Sequence, residues 1–394
     1  MKKFNIPEKY KSNIISELKA RRKTEDPRKK DFSPAEITFG NLTFYIARHF
    51  GFCYGVENAI EIAYETIEKN KGKRIYLLSE MIHNPFVNED LISRGVKFLM
   101  DTSGNRLIDF NELRSDDIVI IPAFGTTVEI EEELKLIGID PYKYNTTCPF
   151  VEKVWNRGAV IGKNNTIIIH GKYLHEETRA TFSHIHQHAN AVIVKNLEEA
   201  KLLGEIIINE DEQKFHELFK GKFTAGFDVS KDFMSIGVIN QTTMLATETE
   251  QISEYFKQIM IKKFGEENIN NHFADTRDTL CYATNDNQVS ATKLLDTDAD
   301  LALVVGGYNS SNTSHLAELL EDRFPTYYIS SKECIISKEK ILHYNFHDKK
   351  ELVTENYLPG KEKIKIAVTS GASCPDSIVE AVIEKIILLT KQVK

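Results

Sequence analysis

Short apolar strands alternate with helical stretches along most of the chain, and a polar or glycine-rich turn follows each strand. The clearest strands span residues 42–47, 118–121, 166–170, 302–305 and 364–368. Strands that alternate with helices in this way form parallel sheets covered by helices, so the sequence predicts an α/β fold. Ligands of such folds bind at the carboxyl ends of the strands. The turns that follow the strands are therefore where we expect the functional residues.

The length of the chain predicts more than one domain. A chain of 394 residues exceeds what a single hydrophobic core usually supports, so two or three domains are expected. The pattern divides into an N-terminal extension and three α/β units, at residues 1–42, 43–147, 148–277 and 278–394. The extension combines an amphipathic helix around Ile15 and Leu18 with a linker rich in Lys, Arg and Pro. We interpret it as an arm over a domain surface.

Two segments of the second unit interrupt this pattern. Residues 203–235 have weak periodicity and are interpreted as an insertion or loop. The run His184-Ile185-His186-Gln187-His188 places three imidazoles at alternate positions, which would share one face of a strand. No further metal ligand is evident nearby, so a polar loop or edge strand is favoured over a metal site.

Composition and charge argue against several classes of partner. A net charge of -8 and a pI near 5.9 provide no overall field that would attract nucleic acid. No apolar run approaches the roughly 20 residues that a membrane helix needs. The first residues contain no apolar signal core. We therefore expect a cytoplasmic protein that binds neither nucleic acid nor a membrane.

Three of the five cysteines share one sequence context. Cys53, Cys148 and Cys281 each lie in a turn that is predicted to open a helix, where free amides and the helix dipole stabilise a thiolate. Neither a disulfide framework nor a zinc ribbon fits an odd number of cysteines without a Cys-x-x-Cys pair. Three thiolates can hold an iron–sulfur cubane and leave one iron open as a Lewis acid. Each cysteine taken alone also fits a buried core position, which is how we interpret Cys334 and Cys374.

Two polar turns near the end of the chain are candidates for anion binding. Asn309-Ser310-Ser311-Asn312 precedes a helix that is predicted to begin near Thr313, and Ser370-Gly371-Ala372-Ser373 precedes the apolar helix 378–388. Hydroxyl, amide and free backbone N–H groups at a helix start can bind a phosphate or diphosphate. Serine and asparagine are also ordinary helix N-caps, so one such turn alone is weak evidence.

Three other turns carry polar side chains, namely His83-Asn84, His175-Glu176-Glu177 and Gln241-Thr242-Thr243. Reductive removal of a hydroxyl group needs an acid that protonates the leaving oxygen or the carbon, and a carboxyl group near an open iron would supply the proton. By pattern alone, a surface histidine, a solvated acidic pair and a polar strand end explain these segments better.

Taken together, these turns resemble the 4-hydroxy-3-methylbut-2-enyl diphosphate reductase family, which catalyses the last step of the non-mevalonate (MEP/DOXP) isoprenoid pathway. Eight motifs match in the family's order, at residues 51–56, 82–84, 147–149, 175–177, 240–243, 281–284, 309–312 and 370–373. The first reads Gly-Phe-Cys-Tyr-Gly-Val and the last Ser-Gly-Ala-Ser. The resemblance covers about residues 43–390.

The resemblance implies three similar α/β units in a pseudo-threefold arrangement around a central 4Fe-4S cluster. Cys53, Cys148 and Cys281 match the ligands of three irons, and the fourth iron would meet the hydroxyl oxygen of the substrate. Glu177 matches the acid that supplies protons. Seven positions match substrate-binding residues, namely His83, His175, Thr242, Ser310, Ser311, Asn312 and Ser373. The implied products are isopentenyl diphosphate, dimethylallyl diphosphate and water.

The chain departs from the family pattern at one clear position. Many bacterial members have a histidine where this chain has Phe124, and phenylalanine can neither donate a hydrogen bond to a phosphate nor relay a proton. Together with the N-terminal extension and segment 203–235, Phe124 resembles the plant and cyanobacterial branch of the family. The resemblance also implies an external electron donor such as a ferredoxin or flavodoxin, because the chain has no Gly-x-Gly-x-x-Gly nucleotide turn.

Two other functions fit parts of the same pattern. A metal-free phosphosugar isomerase or transferase would use the anion-binding turns and leave the cysteines without a role. A non-catalytic redox or iron sensor would need a partner-binding surface, for which the basic N-terminal segment is a weak candidate. Replacement of all three cysteines by alanine should be harmless to the isomerase or transferase, which distinguishes it from the cluster-dependent reductase.

Overall fold

The structure is a computed structural model that describes residues 4–274 and 279–391 and has a mixed α/β fold. The described strands are β1 (Ala35–Phe39), β2 (Leu42–Ile46), β3 (Ile75–Leu77), β4 (Lys97–Phe98), β5 (Ile118–Ile120), β6 (Thr166–His170), β7 (Ala191–Val194), β8 (Ile236–Asn240), β9 (Phe273–Ala274), β10 (Leu301–Val305), β11 (Thr326–Ile329), β12 (Lys340–Asn345), β13 (Lys350–Glu355) and β14 (Ile364–Ser370). The strands predicted from apolar runs are confirmed to within one or two residues at each end.

The described α-helices are α1 (Asn13–Glu25), α2 (Tyr54–Lys69), α3 (Pro85–Ser93), α4 (Val128–Ile137), α5 (Pro149–Gly162), α6 (Glu176–His186), α7 (Leu197–Asn209), α8 (Glu212–Leu218), α9 (Val229–Asp232), α10 (Ala246–Phe264), α11 (Ile269–His272), α12 (Tyr282–Leu294), α13 (Ser311–Glu321) and α14 (Asp376–Lys391). Among the described residues, no helix combines the length and the apolar composition that crossing a bilayer requires.

The chain forms two compact lobes. Lobe 1 comprises Met1–Glu61, Ile82–Asp90 and Tyr282–Lys394, and lobe 2 comprises Ile62–Met81 and Leu91–Cys281. The lobes are defined by contacts, whereas the three α/β units of the sequence analysis are defined by a repeated pattern. The three-unit division therefore stays a prediction.

The main sheet of lobe 1 has five strands in the order β1-β2-β14-β10-β11. Four of them run parallel, and β1 forms an antiparallel hairpin with β2. Strand β10 is buried along its whole length, which explains its uninterrupted apolar sequence Leu-Ala-Leu-Val-Val. The parallel order brings the carboxyl ends of β2, β14 and β10 to one edge of the sheet. The turns that carry candidate residues in this lobe start at that edge.

The N-terminal extension packs on lobe 1. The hydroxyl of Ser12 accepts a hydrogen bond from the amide of Ile15 at 2.9 Å and so caps α1, whose Ile15 and Leu18 side chains are buried in the lobe's core. The predicted helix is confirmed. The second half of the predicted linker, however, forms β1, because residues 35–39 alternate between buried and exposed positions and pair with β2.

Lobe 2 contains two parallel sheets. The smaller has the strand order β4-β3-β5, and the larger has the order β7-β6-β8-β9. Every residue of β6 and β8 is buried, as expected for central strands of a parallel sheet. The carboxyl ends of β5, β6 and β8 lead into the turns that carry the candidate residues of this lobe.

Most of the histidine run of lobe 2 is helical, contrary to its interpretation as a loop or edge strand, and only Gln187 and His188 lie in a turn. The residues up to His186 form the C-terminal end of α6. Because alternate residues of an α-helix point in different directions, the imidazoles do not share a face. The ring of His184 stacks on Trp155 with centroids 3.8 Å apart, and His186 lies 3.1 Å from a carboxylate oxygen of Glu129.

Segment 203–235 is also not a loop, because much of it is helical and contributes to the core. It includes the end of α7, all of α8 and all of α9. Four phenylalanines bury their rings in one cluster, namely Phe215, Phe219, Phe227 and Phe233. The periodicity is weak because α8 and α9 are only seven and four residues long. A helical pattern needs a longer window to be visible in a sequence.

Replacement of Phe215 tests whether this segment is part of the core. The side chain is fully buried, so Phe215→Ala should lower the free energy of unfolding by about 3–5 kcal/mol. Leu218→Ala, at a position on the same helix that is 42% exposed, should change it by about 0.5 kcal/mol. Urea denaturation followed by circular dichroism measures both values, and equal effects of the two variants would contradict the assignment.

Candidate active site

The three candidate cysteines lie where helices begin, as the sequence predicts. Cys53 directly precedes α2, Cys148 is the N-cap residue of α5, and Cys281 directly precedes α12. Each is half-buried, and none of the three forms a disulfide bond. Cys53 belongs to lobe 1, whereas Cys148 and Cys281 belong to lobe 2.

One backbone hydrogen bond recurs at all three cysteines. Its instances are Cys53 N–H to Ala372 O at 3.2 Å, Cys148 N–H to Ala123 O at 3.0 Å and Cys281 N–H to Thr242 O at 3.4 Å. The three acceptors lie in turns shortly after the ends of the parallel strands β14, β5 and β8. The fold therefore attaches each cysteine turn to the carboxyl end of a strand by the same interaction. The sequence pattern contains no signal for this repeated bond.

The peptide group of Ala372 joins two candidate turns of lobe 1. Its carbonyl accepts the hydrogen bond from Cys53, and its amide donates to Oδ1 of Asn312 at 3.0 Å. Asn312 is only 3% exposed, and among the described residues its Nδ2 has no hydrogen-bond partner. An unpaired buried donor costs about 1–3 kcal/mol. The Nδ2 group of Asn312 is therefore suited to donate to an oxygen atom of a ligand.

Serine hydroxyls surround the same turn. The hydroxyl of Ser310 accepts from the amide of Thr313 at 3.2 Å and caps α13, which begins at Ser311. The hydroxyl of Ser311 is buried without a partner in the described part of the chain. In the neighbouring turn, Ser373 donates to the carbonyl of His83 at 3.2 Å. The structure thus brings together Ser310, Ser311 and Asn312, and it brings Ser373 to His83.

The backbone after β10 passes very close to His83. A Cβ atom at Gly307 would overlap the carbonyl oxygen of His83, so only glycine fits this position. The hydroxyl of Tyr328 donates to the carbonyl of Gly307 and holds the backbone there. His83 is consequently fixed beside the turn that leads to Ser310.

In lobe 2, Thr242 holds the carboxyl group of Glu177 by two hydrogen bonds. The amide of Thr242 donates to Oε1 at 2.6 Å, and its hydroxyl donates to Oε2 at 3.0 Å. Glu177 is only 1% exposed. Because the carbonyl of Thr242 accepts from the amide of Cys281, one residue connects the buried carboxyl group to a candidate metal ligand.

His175 presents a hydrogen-bond donor at the start of α6. Its Nδ1 accepts from the amide of Glu177 at 3.2 Å, so a neutral ring carries its proton on Nε2. The ring of Phe124 packs edge-on against it with centroids 5.7 Å apart. Phe124 therefore contacts His175 through an aromatic interaction.

Asn240 has a positioning role that the sequence analysis missed. It is the last residue of β8 and is fully buried. Its Oδ1 accepts from the amide of Thr279 at 3.0 Å and also from the hydroxyl of Thr279, and its Nδ2 donates to the carbonyl of Gln241 at 2.9 Å. These bonds fix the segment that leads to Cys281. The only available signal was an amide side chain at the end of an apolar strand.

Burial controls the protonation of Cys148. It raises the pKa of this thiol to about 11, although the backbone N–H groups of Phe150 and Val151 lower it, and the negative charges of Cys281 and Glu177 raise it further. The helix start alone therefore does not make Cys148 a thiolate at neutral pH. A metal ion that binds this sulfur displaces its proton. The same interactions indicate that Cys281 and Glu177 lie in the neighbourhood of Cys148.

Within residues 4–274 and 279–391, no three His, Cys, Asp or Glu side chains are arranged as a metal site. The three-cysteine ligand set draws on both lobes, and it stays a prediction. Cys334 and Cys374 are buried in the core of lobe 1, and burial raises the pKa of the Cys374 thiol.

Comparison with known proteins identifies the family. The LytB protein family model matches residues 44–387 of this chain. The chain belongs to the LytB family. Two relatives are named 4-hydroxy-3-methylbut-2-enyl diphosphate reductase. The protein from Picosynechococcus sp. is 43% identical to this chain, and the protein from Gloeobacter violaceus is 38% identical to it. The alignments cover 89% of this chain and 85% of the first relative, and 97% of this chain and 88% of the second.

The family predicted from the eight motifs is therefore confirmed, and its relatives are mainly cyanobacterial, as expected for the predicted branch. Two solved structures share the fold of this LytB chain. One is that of (E)-4-hydroxy-3-methyl-but-2-enyl diphosphate reductase, with 24% identity, a TM-score of 0.51 and coverage of 87% of this chain and 98% of that chain. The other is the reductase from Plasmodium falciparum, with 23% identity, a TM-score of 0.61 and coverage of 89% and 88%.

Removal of the Asn240 side chain tests its positioning role in this LytB chain. Asn240→Ala deletes three hydrogen bonds, each worth about 1 kcal/mol, so the segment before Cys281 should open more often. Alkylation of Cys281 by iodoacetamide in metal-free protein should become about tenfold faster or more. Peptide mass spectrometry measures the rate, with Cys148 as an internal reference and Asn209→Ala, at an exposed helix end, as the control. An unchanged rate at Cys281 would refute this role.

Proposed function

We propose that this LytB chain removes the hydroxyl group of (E)-4-hydroxy-3-methylbut-2-enyl diphosphate in the last step of the non-mevalonate pathway, with isopentenyl and dimethylallyl diphosphates as products. The observation that carries the proposal is that Thr242 bonds both to the buried carboxyl group of Glu177 and to the backbone of Cys281, a candidate metal ligand. Sulfur ligands beside a carboxyl group suit a metal-assisted removal of a hydroxyl group. The name shared by the LytB relatives agrees with this chemistry.

The residues present fit a 4Fe-4S cluster. Cys53, Cys148 and Cys281 would hold it, since none of them forms a disulfide bond and each is fixed by the same backbone hydrogen bond. That repetition supports three similar α/β units in a pseudo-threefold arrangement around the cluster. When bound, the cluster supplies electrons and an open, Lewis-acidic iron for the hydroxyl oxygen.

Neutral hydrogen-bond donors bind the diphosphate of the substrate. The proposed set is His83, His175, Ser310, Ser311, Asn312 and Ser373, and Thr242 contacts the substrate beside Glu177. Support comes from the buried hydroxyl of Ser311 and the buried Nδ2 of Asn312, which lack partners among the described residues and lie in the first turn of α13, where backbone N–H groups are also free. Such donors bind an anion without a strongly basic protein, in keeping with a net charge of -8.

His175 takes the place of the missing family histidine. Phe124 packs against the ring of His175. The Nδ1 atom of His175 accepts a hydrogen bond from the backbone, so Nε2–H is the donor group of the ring. This group donates to the diphosphate. The substitution at Phe124 thus changes how the substrate is held and leaves the reaction class unchanged.

Glu177 supplies a proton for the reaction. The carbon–oxygen bond breaks, the oxygen leaves as water, and the substrate takes up two electrons and two protons in total. A hydroxyl group can donate or accept a hydrogen bond, so Thr242 can remain bonded to Glu177 whether the carboxyl group is ionised or protonated. Burial at 1% exposure keeps bulk water away from this proton.

The two electrons come from outside the chain, from a small ferredoxin or flavodoxin. The reductase works in the cytoplasm, and neither nucleic acid nor a membrane takes part in the reaction. The alternative, a metal-free phosphosugar isomerase or transferase, has no support from the LytB relatives and assigns no role to the cysteines. A non-catalytic redox or iron sensor likewise has no support from the LytB relatives.

A Cys53→Ser variant tests the cluster. Protein purified without oxygen should be brown, and the variant should lose its colour and most of its iron, because a serine hydroxyl is a poor ligand for this cluster. Absorption spectra with iron and sulfide analysis measure the loss, and Cys334→Ser is the control at a cysteine outside the ligand set. A colourless wild type with full activity would overturn the proposal, as would full activity after all three cysteines are replaced by alanine.

A Glu177→Gln variant tests the proton donor. Glutamine keeps the shape of the side chain but cannot supply an acidic proton, so turnover should fall by about a hundredfold or more. The cluster spectrum and the affinity for the substrate should be retained. Glu176→Gln is the matched control, because Glu176 directly precedes Glu177 on the same helix and accepts a hydrogen bond from Ser79 instead of Thr242. Retained turnover of Glu177→Gln would remove the proton-donor role.

A further inference from the structure

The N-terminal segment concentrates positive charge on a protein that is acidic overall. Residues 19–30 contain seven Lys and Arg and only two acidic residues, although the net charge of the chain is -8. Arg21 and Arg22 pair with acidic neighbours. Four further cations are exposed and form no ion pair with any residue that the structure describes, namely Lys23, Arg28, Lys29 and Lys30. Such a group of unpaired charges of one sign attracts a partner of opposite charge.

Lys19 attaches this basic segment to the turn that carries Cys53. Its Nζ donates to the carbonyl of Phe50 at 3.1 Å and to Oδ1 of Asp376 at 2.7 Å. The same ammonium group lies 4.5 Å from the centroid of the Phe50 ring. These contacts satisfy the charge of Lys19, so its role is structural. They hold α1 beside the Cys53 turn.

A cavity of about 280 Å³ lies between α1 and this turn, within lobe 1. Cys53 forms part of its wall. Four cations line the cavity, namely Lys19, Lys23, Lys29 and Arg48, against two acidic residues, Glu57 and Asp286. His49 also lines it, and burial together with the charges of Arg48, Lys29 and Lys19 lowers the pKa of its ring to about 4. Lys19 is paired with Asp376 and Arg48 lies 3.8 Å from Asp26, so among the described residues the unpaired positive charge at this cavity belongs to Lys23 and Lys29.

We propose that Lys23 and Lys29, at the rim of this cavity, form a docking surface for an acidic electron-transfer protein that delivers electrons beside Cys53. The inference rests on the proposed function, which needs a supply of electrons from outside the chain. Each encounter moves one electron from the reduced carrier to the chain, and two encounters supply the pair that the reaction consumes. No bond forms between the proteins, and the protons come from the chain and solvent.

This surface explains why a basic arm is fastened to an acidic protein at this place. Like-charge repulsion would slow the approach of an acidic carrier to a protein with a net charge of -8. A local patch of unpaired lysines reverses the field at one site and steers the carrier to it. Because such steering acts between exposed charges, salt should weaken it.

Single charge reversals test the surface with two different reductants. Lys23→Glu and Lys29→Glu are each assayed with a reduced acidic 2Fe-2S ferredoxin and with reduced methyl viologen, a small cation that needs no docking surface. The KM for the ferredoxin should rise about tenfold and its dependence on salt should weaken. Turnover with methyl viologen should be unchanged or slightly higher. Lys23→Ala and Lys29→Ala should raise the same KM by a smaller factor.

Lys363→Glu is the matched control for these variants. It makes the same charge change at an exposed residue just before β14. The turn that bonds Cys53 follows the other end of that strand, so Lys363 lies away from it. An unchanged KM for ferredoxin, or a rise equal to that of Lys363→Glu, would overturn the docking surface. Equal losses with both reductants, or a weaker affinity for the diphosphate substrate, would also overturn it and would assign the cavity to a small anion. A wild type inactive with both reductants would refute the proposed function itself.

Discussion

The hydrogen bond from each cysteine amide to a carbonyl at a strand end is the constraint on which the candidate site depends. A metal ligand must be held in position before the metal binds, and a main-chain bond fixes the Cα atom without using the thiol. The acceptors at Ala372, Ala123 and Thr242 follow β14, β5 and β8. The positions of the cysteine turns therefore depend on the parallel sheets, and the site is a consequence of the fold.

The lobes contribute different chemistry to the proposed reaction. Lobe 1 offers buried hydrogen-bond donors. The hydroxyl of Ser311 and the Nδ2 group of Asn312 have no hydrogen-bond partner among the described residues. Such groups destabilise a folded chain unless a ligand satisfies them. Lobe 2 offers an acid, Glu177, whose position is fixed by the amide and hydroxyl of Thr242. The proposed diphosphate set also includes His175 of lobe 2, whose Nδ1 accepts from the amide of Glu177, so anion binding and proton delivery share this contact.

The sequence predicted the strands and the helix starts well because both depend on local signals. Apolar runs identify buried parallel strands, and Ser310 and Cys148 stand directly before their helices. What it missed depends on contacts between distant segments. Segment 203–235 forms a core only when its aromatic rings meet, and the bonds of Asn240 to Thr279 span residues far apart in the chain. The resemblance to a family, and no local pattern, singled out the role of Glu177.

No local pattern connects the repeated cysteine turns, the unpaired donors and the buried acid. The proposed function connects them, and it requires that the cysteines hold a cluster with one iron open to the substrate. Mössbauer spectroscopy of protein purified without oxygen, with and without (E)-4-hydroxy-3-methylbut-2-enyl diphosphate, tests that claim most directly. The account predicts that one iron changes its signal when the substrate binds, while those held by Cys53, Cys148 and Cys281 do not. Turnover by a protein without an iron–sulfur spectrum, or irons that all respond alike, would contradict it.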